Sequence, residues 1–367
     1  MLASLRMPAP LIGRYSSTHG PMCLNEKVLR LGKAAKWIAL AGVAGLLGLI
    51  LAGIIYEQLG RRKDLVGITR IGESVDIGGR ALNLYCAGTG SPTVVLESGT
   101  NNPGLAWLRV QPKIAETTRA CWYDRAGDGW SDPGPFPRTA ASIAVDLHSL
   151  LTNAKLPGPF IMVGHSFGGT ILRVYSGMYP KDVAGVVLVD AWHEDEIKKI
   201  PNRKGPGPPD SLRPAIDRLT PALTFIGFVR LLRPPLKTRP PKGLSREDWR
   251  VIQELRRQPK ALAAESSTGM TQDESGMQAR SAGGLGDRPL VVLTAGKAEY
   301  DPSNATEAKL ANDEQQIWIH DLQAQLATLS TRGKQLTVNS THGIPWEAPE
   351  NVVDAVREVI AATASTR

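Results

Sequence analysis

At 367 residues, 42% apolar and 21% charged, the chain has the size and balance of one large globular unit with an insertion, which excludes a disordered or collagenous protein. Three cysteines cannot staple a chain of this length, so a disulfide scaffold is excluded as well. The net charge of +8 is concentrated in residues 1–36 (net +5), 57–63 (net +2) and 192–288 (net +6); the remainder is acidic, and the basic balance does not point to nucleic acid.

Residues 1–36 form a basic tail, and Trp37–Tyr56 follows it with twenty residues that carry no charge. That is enough for about 30 Å of helix, the thickness of a bilayer core. Basic residues flank the run on both sides and aromatic residues close both ends, a pattern that favours a membrane span over a buried core helix. The run exceeds the apolar stretch of a cleaved signal peptide and no small-x-small site follows Tyr56, so an uncleaved signal anchor is expected. Lys27, Arg30, Lys33 and Lys36 precede the span while Arg61, Arg62 and Lys63 follow it, and charge alone leaves the orientation open.

Beyond a linker at 57–70, short apolar runs alternate with amphipathic stretches, the rhythm of an α/β domain with a largely parallel sheet. Strands are predicted near Ser74–Ile77, Ala81–Cys86, Thr93–Glu97, Ala120–Tyr123, Phe160–Val163, Gly185–Val189, Leu290–Thr294 and Gln335–Val338. Ala140–Leu151 and Pro349–Ala362 carry apolar residues at helical spacing. Pro201–Asp287 breaks the rhythm: it is rich in Pro and Arg, holds predicted helices near Pro221–Leu232 and Arg246–Arg257, and contains no convincing strand. The core is therefore assigned to 71–191 and 289–367, with a helical cap inserted at 192–288.

The chemistry centres on Val163-Gly164-His165-Ser166-Phe167-Gly168-Gly169, between the apolar run PFIMV and the helix-like TILRVYSGMY. Glycines at 164 and 168 remove Cβ atoms that would clash as a strand turns sharply into a helix, which forces Ser166 out at the strand tip. The backbone N–H of Phe167, at the helix start, would face a developing oxyanion. The bare G-x-S-x-G pattern is common by chance, but its placement between strand and helix supplies the context the motif needs.

A serine hydroxyl needs a base. Of six histidines, His19 lies in the tail, His148 and His320 on helical stretches, His165 inside the turn and His193 at the start of the insertion. His342 alone follows the last predicted strand, on a loop bounded by Gly343 and Pro345, and is the expected base. The acid that would orient it has two possible sources: Asp190 at the tip of GVVLV, which is favoured, and Glu299 or Asp301 in the loop after Thr294.

With GHSFGG, the segments VVLESGTNNPGLAW, YDRAGDGWSD, GVVLVDAWH and the terminal histidine loop resemble the α/β-hydrolase superfamily, in its esterase-like α/β-hydrolase-1 branch, from Ile71 to the end. That resemblance implies an eight-stranded, mostly parallel sheet in the order 1-2-4-3-5-6-7-8 with a cap between strands 6 and 7. It implies a second oxyanion N–H from the turn after strand 3, here Thr100 in Ser98-Gly99-Thr100, where the family usually has His-Gly. Asp124 and Arg125 match a turn whose role is more often structural than catalytic.

In this order strand 2 runs antiparallel beside strand 4, so Cys86 and Cys121 could pair; two reduced buried thiols are the alternative. A disulfide would place the domain outside a reducing cytosol, on the outer face of a bacterial plasma membrane. Cys23 has no leucine-rich lipobox before it, which argues against a lipoprotein. The expected activity is serine-dependent hydrolysis of an apolar ester or related acyl bond, without cofactor or metal, and with no nucleic-acid partner; the sequence leaves the oligomeric state open. Serine rather than aspartate at the turn argues against dehalogenase or epoxide-hydrolase chemistry. An amidase or aminopeptidase with the same triad, and a tethered, non-catalytic module binding an apolar ligand or a partner, are the alternatives.

Overall fold

The computed structural model describes residues 22–200, 212–232, 236, 239–299 and 304–364. The described residues up to Ile55 and those from Tyr56 onward form separate compact units. Helix α1 (Met22–Asp64) contains the apolar run at 37–56 and is the one helix among the described residues long and apolar enough to cross a membrane. It begins before the run and continues through 57–64, so the first half of the expected linker is helical.

Eight strands form one sheet: β1 (Glu73–Asp76), β2 (Ala81–Ala87), β3 (Val94–Glu97), β4 (Ala120–Tyr123), β5 (Phe160–His165), β6 (Val183–Val189), β7 (Leu290–Ala295) and β8 (Gly333–Val338). Their order is β1-β2-β4-β3-β5-β6-β7-β8. The β1–β2 and β2–β4 pairs are antiparallel, and every pair from β4 to β8 is parallel. Parallel strands covered on both faces read as unbroken apolar runs, which is why VVLE, FIMV and GVVLV stand out in the sequence. On one face Met162, Val186, Leu188 and Val292 pack with Leu147, Ile171 and Tyr175 of helices α2 (Ala140–Asn153) and α3 (Phe167–Met178). Val163, Val187 and Val291 line the other, against residues that include Val352, Val356 and Val359 near the C-terminus. The side chain of Thr139 caps α2 by accepting the N–H of Ser142.

Cys86 and Cys121 stand opposite each other in the β2–β4 register, with Cα atoms 4.1 Å apart, and are joined by a disulfide. Between β6 and β7 lie helices α4 (Arg213–Phe225), α5 (Phe228–Leu232), α6 (Arg246–Arg256), α7 (Pro259–Met270) and α8 (Gln272–Ser281). The helix expected over Pro221–Leu232 is broken at Ile226-Gly227, where Gly227 takes a φ of 75°, and its first half belongs to a longer helix that starts at Arg213. Helices α7 and α8 were not foreseen. After β7 come α9 (Ala305–Ile317), a wide π-type turn at Trp318–Gln323, β8 and finally α10 (Pro349–Ala364).

Candidate active site

Ser166 follows β5 and opens α3 with φ 52° and ψ −127°, a region that a residue with a Cβ rarely occupies. The surroundings impose it. Ser166 N–H donates to the Val189 carbonyl and the Ser166 carbonyl accepts from Gly169 and Trp192, so the turn is held on both sides. A Cβ at Gly168 would lie 2.6 Å from the carbonyl oxygens of Glu97 and Ser98, and one at Gly164 would lie 2.7 Å from the Gly169 nitrogen. No side chain fits at either position. Phe167 N–H is in the first turn of α3 and has no acceptor within the helix. Gly99 lies against the serine from β3: a Cβ there would be 3.2 Å from Ser166 Cβ.

Asp190 directly follows β6 with φ 42° and is fully buried. Its Oδ2 accepts from His342 Nδ1 at 2.6 Å, while Oδ1 accepts from Ala295 N–H at 2.8 Å and Trp318 Nε1–H at 2.7 Å. Burial pushes this carboxyl up, but His342, Trp318 and Ala295 outweigh it and hold Asp190 below the usual carboxylate range. Because a carboxylate accepts, Nδ1 of His342 carries the proton and Nε2 is the basic nitrogen. Glu299, an alternative acid, is exposed; Asp301 lies outside the described residues.

The other histidines are engaged elsewhere. His148 pairs with Asp182 at 3.0 Å and stacks on Tyr179, His193 Nδ1 accepts from Asp195 N–H, and His320 contacts Gln316. His19 is outside the described residues. His165 is different: its Nε2 donates to the His342 carbonyl at 2.9 Å, which fastens the loop of the base to the residue before the serine. Burial, with His342 as neighbour, pulls His165 down to about 3, so it stays a neutral donor.

A second buried cluster underlies the turn after β3. Arg125 donates to the carbonyls of Ser98 and Gly99, and its guanidinium lies 3.5 Å from Glu97, which also accepts from Tyr123. Those bonds hold the carbonyls of the Ser98–Thr100 turn against Arg125. Burial raises Glu97 to about 7 despite Arg125 and Tyr123. Asp124 accepts from Gly104 N–H, Trp130 N–H and the Asn83 amide, the structural role expected of it.

A cavity of about 100 Å³ opens on Ser166 and is walled by Thr100, Phe167, Trp192 and, from α7, Thr268 and Gly269. The roles of His165, Trp318 and the α7 wall were not read from the sequence. The only local hint of them is a tryptophan whose indole N–H must find a partner when buried.

The α/β hydrolase family model matches residues 94–355. The chain belongs to that family. The match carries the family and, with it, the fold. Residues of this α/β hydrolase are 34% identical, over 112 positions, to an uncharacterized vacuolar membrane protein of Saccharomyces cerevisiae strain YJM789, covering 29% of this chain and 17% of that one. The alignments span only 17–20% of the length of the first curated relatives matched. Among solved structures, a thermophilic esterase from Thermogutta terrifontis superposes with a TM-score of 0.55 at 18% identity, covering 79% of this chain and 98% of that one. An alpha/beta hydrolase fold protein from Burkholderia ambifaria gives 0.55 at 19%, with 79% and 98% covered. At such identities these likenesses speak for the fold alone.

Proposed function

We propose that this chain is a serine hydrolase of carboxylic esters, with Ser166 as nucleophile, His342 as general base and acid, and Asp190 as the group that orients and stabilises the imidazole. The observation that carries the reading is the 2.6 Å bond between His342 and Asp190, made on a loop that His165 ties to the strained serine turn. In the reaction, Ser166 Oγ attacks the ester carbonyl as its proton passes to His342 Nε2. The N–H groups of Phe167 and Thr100 receive the oxyanion. Collapse expels the alcohol, protonated by the imidazolium, and leaves an acyl-serine. Water, deprotonated by His342, then attacks the acyl group and regenerates the hydroxyl. Nothing in this sequence of steps calls for a metal or cofactor.

Serine at the turn favours an acyl enzyme over the carboxylate-nucleophile chemistry of epoxide hydrolases and dehalogenases. The cavity's size suits a short acyl or alcohol group of an apolar ester, with the rest of the substrate lying outward along α7. The disulfide and the apolar helix together favour a domain held on the outer face of a plasma membrane. The test is labelling of the full chain by a fluorophosphonate. Wild type should label and Ser166→Ala should not, with p-nitrophenyl acetate hydrolysis lost in the same variant. A folded wild-type chain that neither labels nor hydrolyses esters would instead support a non-catalytic binding module, and hydrolysis of acyl-amides or peptidyl substrates in preference to esters would shift the reading to an amidase.

A further inference from the structure

The helices between β6 and β7 leave a stripe of large apolar side chains uncovered. Ile216 and Leu219 on α4, Phe225 at its end, and Phe228, Leu231 and Leu232 on α5 are between 41% and 69% exposed. Scattered exposed leucines need no explanation, but six on two consecutive helices form a patch of the kind that meets a partner.

What sets this patch apart is how α5 is held. Arg230, on α5, is buried and forms a two-bond fork with Glu57 at 2.8 and 2.9 Å, and it also reaches Asp64 at 2.8 Å. Glu57 is itself only 3% exposed, although the sequence places it in the turn after an apolar run. It directly follows Tyr56, the last residue of that run. Asp64 is seven residues on, on the same face of the helix. Helix α5 is thus ion-paired to the first two turns after the apolar segment, within about 12 Å of helix from its end. A Cβ at Gly60, between the two carboxylates, would lie 2.5 Å from the Arg230 guanidinium, so the missing side chain there leaves room for the arginine beside both carboxylates. Arg61, Arg62 and Lys63, on the same turns, are exposed cations suited to anionic headgroups.

We propose that the outer face of α4 and α5 seats in the headgroup region of the bilayer that the apolar segment enters, so that its partner is a lipid surface. The proposal rests on the reading of residues 37–56 as a membrane span. A covalently tethered patch this near the bilayer needs little affinity of its own to stay engaged, because the tether raises its effective concentration at the surface. The consequence reaches the active site. Ser266 Oγ on α7 donates to the Asp217 carbonyl on α4, and two and three residues further along α7 Thr268 and Gly269 wall the cavity over Ser166. One helix layer therefore separates the lipid-facing stripe from the serine, and an ester dissolved in the membrane would meet the cleft from that side.

The experiment uses the full chain in vesicles of phosphatidylcholine and phosphatidylglycerol, in a Cys23→Ser background that leaves the disulfide intact. A polarity-sensitive fluorophore is placed by Leu231→Cys on the stripe, by Leu46→Cys inside the apolar run, and by Leu336→Cys on β8, at the opposite sheet edge from β1. Quenching by lipids that carry a spin label near the headgroup, and in a parallel set deep on the acyl chain, is then read, each site with the set nearer its expected depth. Leu231 is expected to be quenched to at least about half the extent of Leu46, and Leu336 not at all. Adding Arg230→Gln should lower the Leu231 quenching about twofold or more and leave Leu46 unchanged. A Leu231 label as unquenched as Leu336, beside a quenched Leu46, overturns the proposal while the span survives. A Leu231 label that is blue-shifted but unquenched overturns it in favour of protein contact. An unquenched Leu46 label removes the span and the proposal together.

Discussion

Two strand tips on either side of β5 each bury a carboxylate near the candidate site, and they treat it in opposite ways. At the tip of β6, Asp190 receives three hydrogen bonds, from an imidazole, an indole and a backbone N–H, and is held below its ordinary value. At the tip of β3, Glu97 receives the Tyr123 hydroxyl and a guanidinium at 3.5 Å, and burial lifts it to about 7. Burial is equal at the two tips; the number and aim of the donors differ. The first arrangement keeps a charge beside the His342 imidazole, whereas the second lifts a carboxyl toward neutrality while Arg125 is left to hold the carbonyls of Ser98 and Gly99.

The largest expected effect sharpens that contrast at β6. Asp190→Asn removes the charge and offers the wrong hydrogen-bonding partner to Nδ1, so turnover of p-nitrophenyl acetate should fall by about 10⁴-fold with the fold retained. Circular dichroism and the rate of fluorophosphonate labelling distinguish this from unfolding. A loss below tenfold would break the comparison, because Asp190 would then be only a structural carboxylate.

Glu97 should matter to stability more than to turnover. Its native pKa of about 7 lies above the unfolded value of 4.5, so between these values the native state binds more protons than the unfolded one. The sign follows: the contribution is fully present below the unfolded value and is lost as pH rises through about 7. The span corresponds to about 3 kcal/mol. Glu97→Gln imitates the neutral acid and should flatten the decline in thermal midpoint between mildly acidic and neutral pH. A slope that Glu97→Gln leaves unchanged would place the proton elsewhere.

The same contrast explains what was legible in the sequence. The sheet could be read because buried parallel strands are continuous apolar runs, and each observed strand overlaps its predicted range. The serine turn was legible because Gly164 is demanded by the backbone of Gly168 and Gly169 within a few residues, and Gly168, although its own demand comes from Glu97 and Ser98 far along the chain, completes the same short motif. Asp190 stood out because it directly follows a strand. Helices α7 and α8 were missed for a physical reason: they pack through hydroxyls rather than an apolar stripe. Ser267 Oγ accepts from Arg138 N–H at 2.9 Å and Ser275 Oγ from Ala140 N–H at 3.0 Å, so small polar residues do the work that leucines do elsewhere. The parts of His165 and Trp318 were equally hidden, since each acts on a residue that folding alone brings near: His165 on His342, and Trp318 on Asp190, 128 positions away.

Trp318 gives the smallest effect and the finest test. Its indole N–H is one of three donors on Asp190, and Trp318→Phe deletes that donor while keeping an aromatic ring in the same apolar setting. A hydrogen bond to a charged group contributes about 1.5–3 kcal/mol, and two donors remain, so turnover should fall by roughly tenfold. The direction of the pH effect is fixed by the contrast between the two tips. With one donor gone, Asp190 moves toward the condition of Glu97 and its pKa rises. A carboxylate held low contributes stability above its unfolded value and loses it as pH falls through its native one. In Trp318→Phe that loss should begin at a higher pH, and the acid limb of the kcat profile should shift the same way. A tenfold loss with an unmoved acid limb would mean that the indole positions the carboxylate without setting its charge, and donor count would no longer explain why the two buried carboxylates differ.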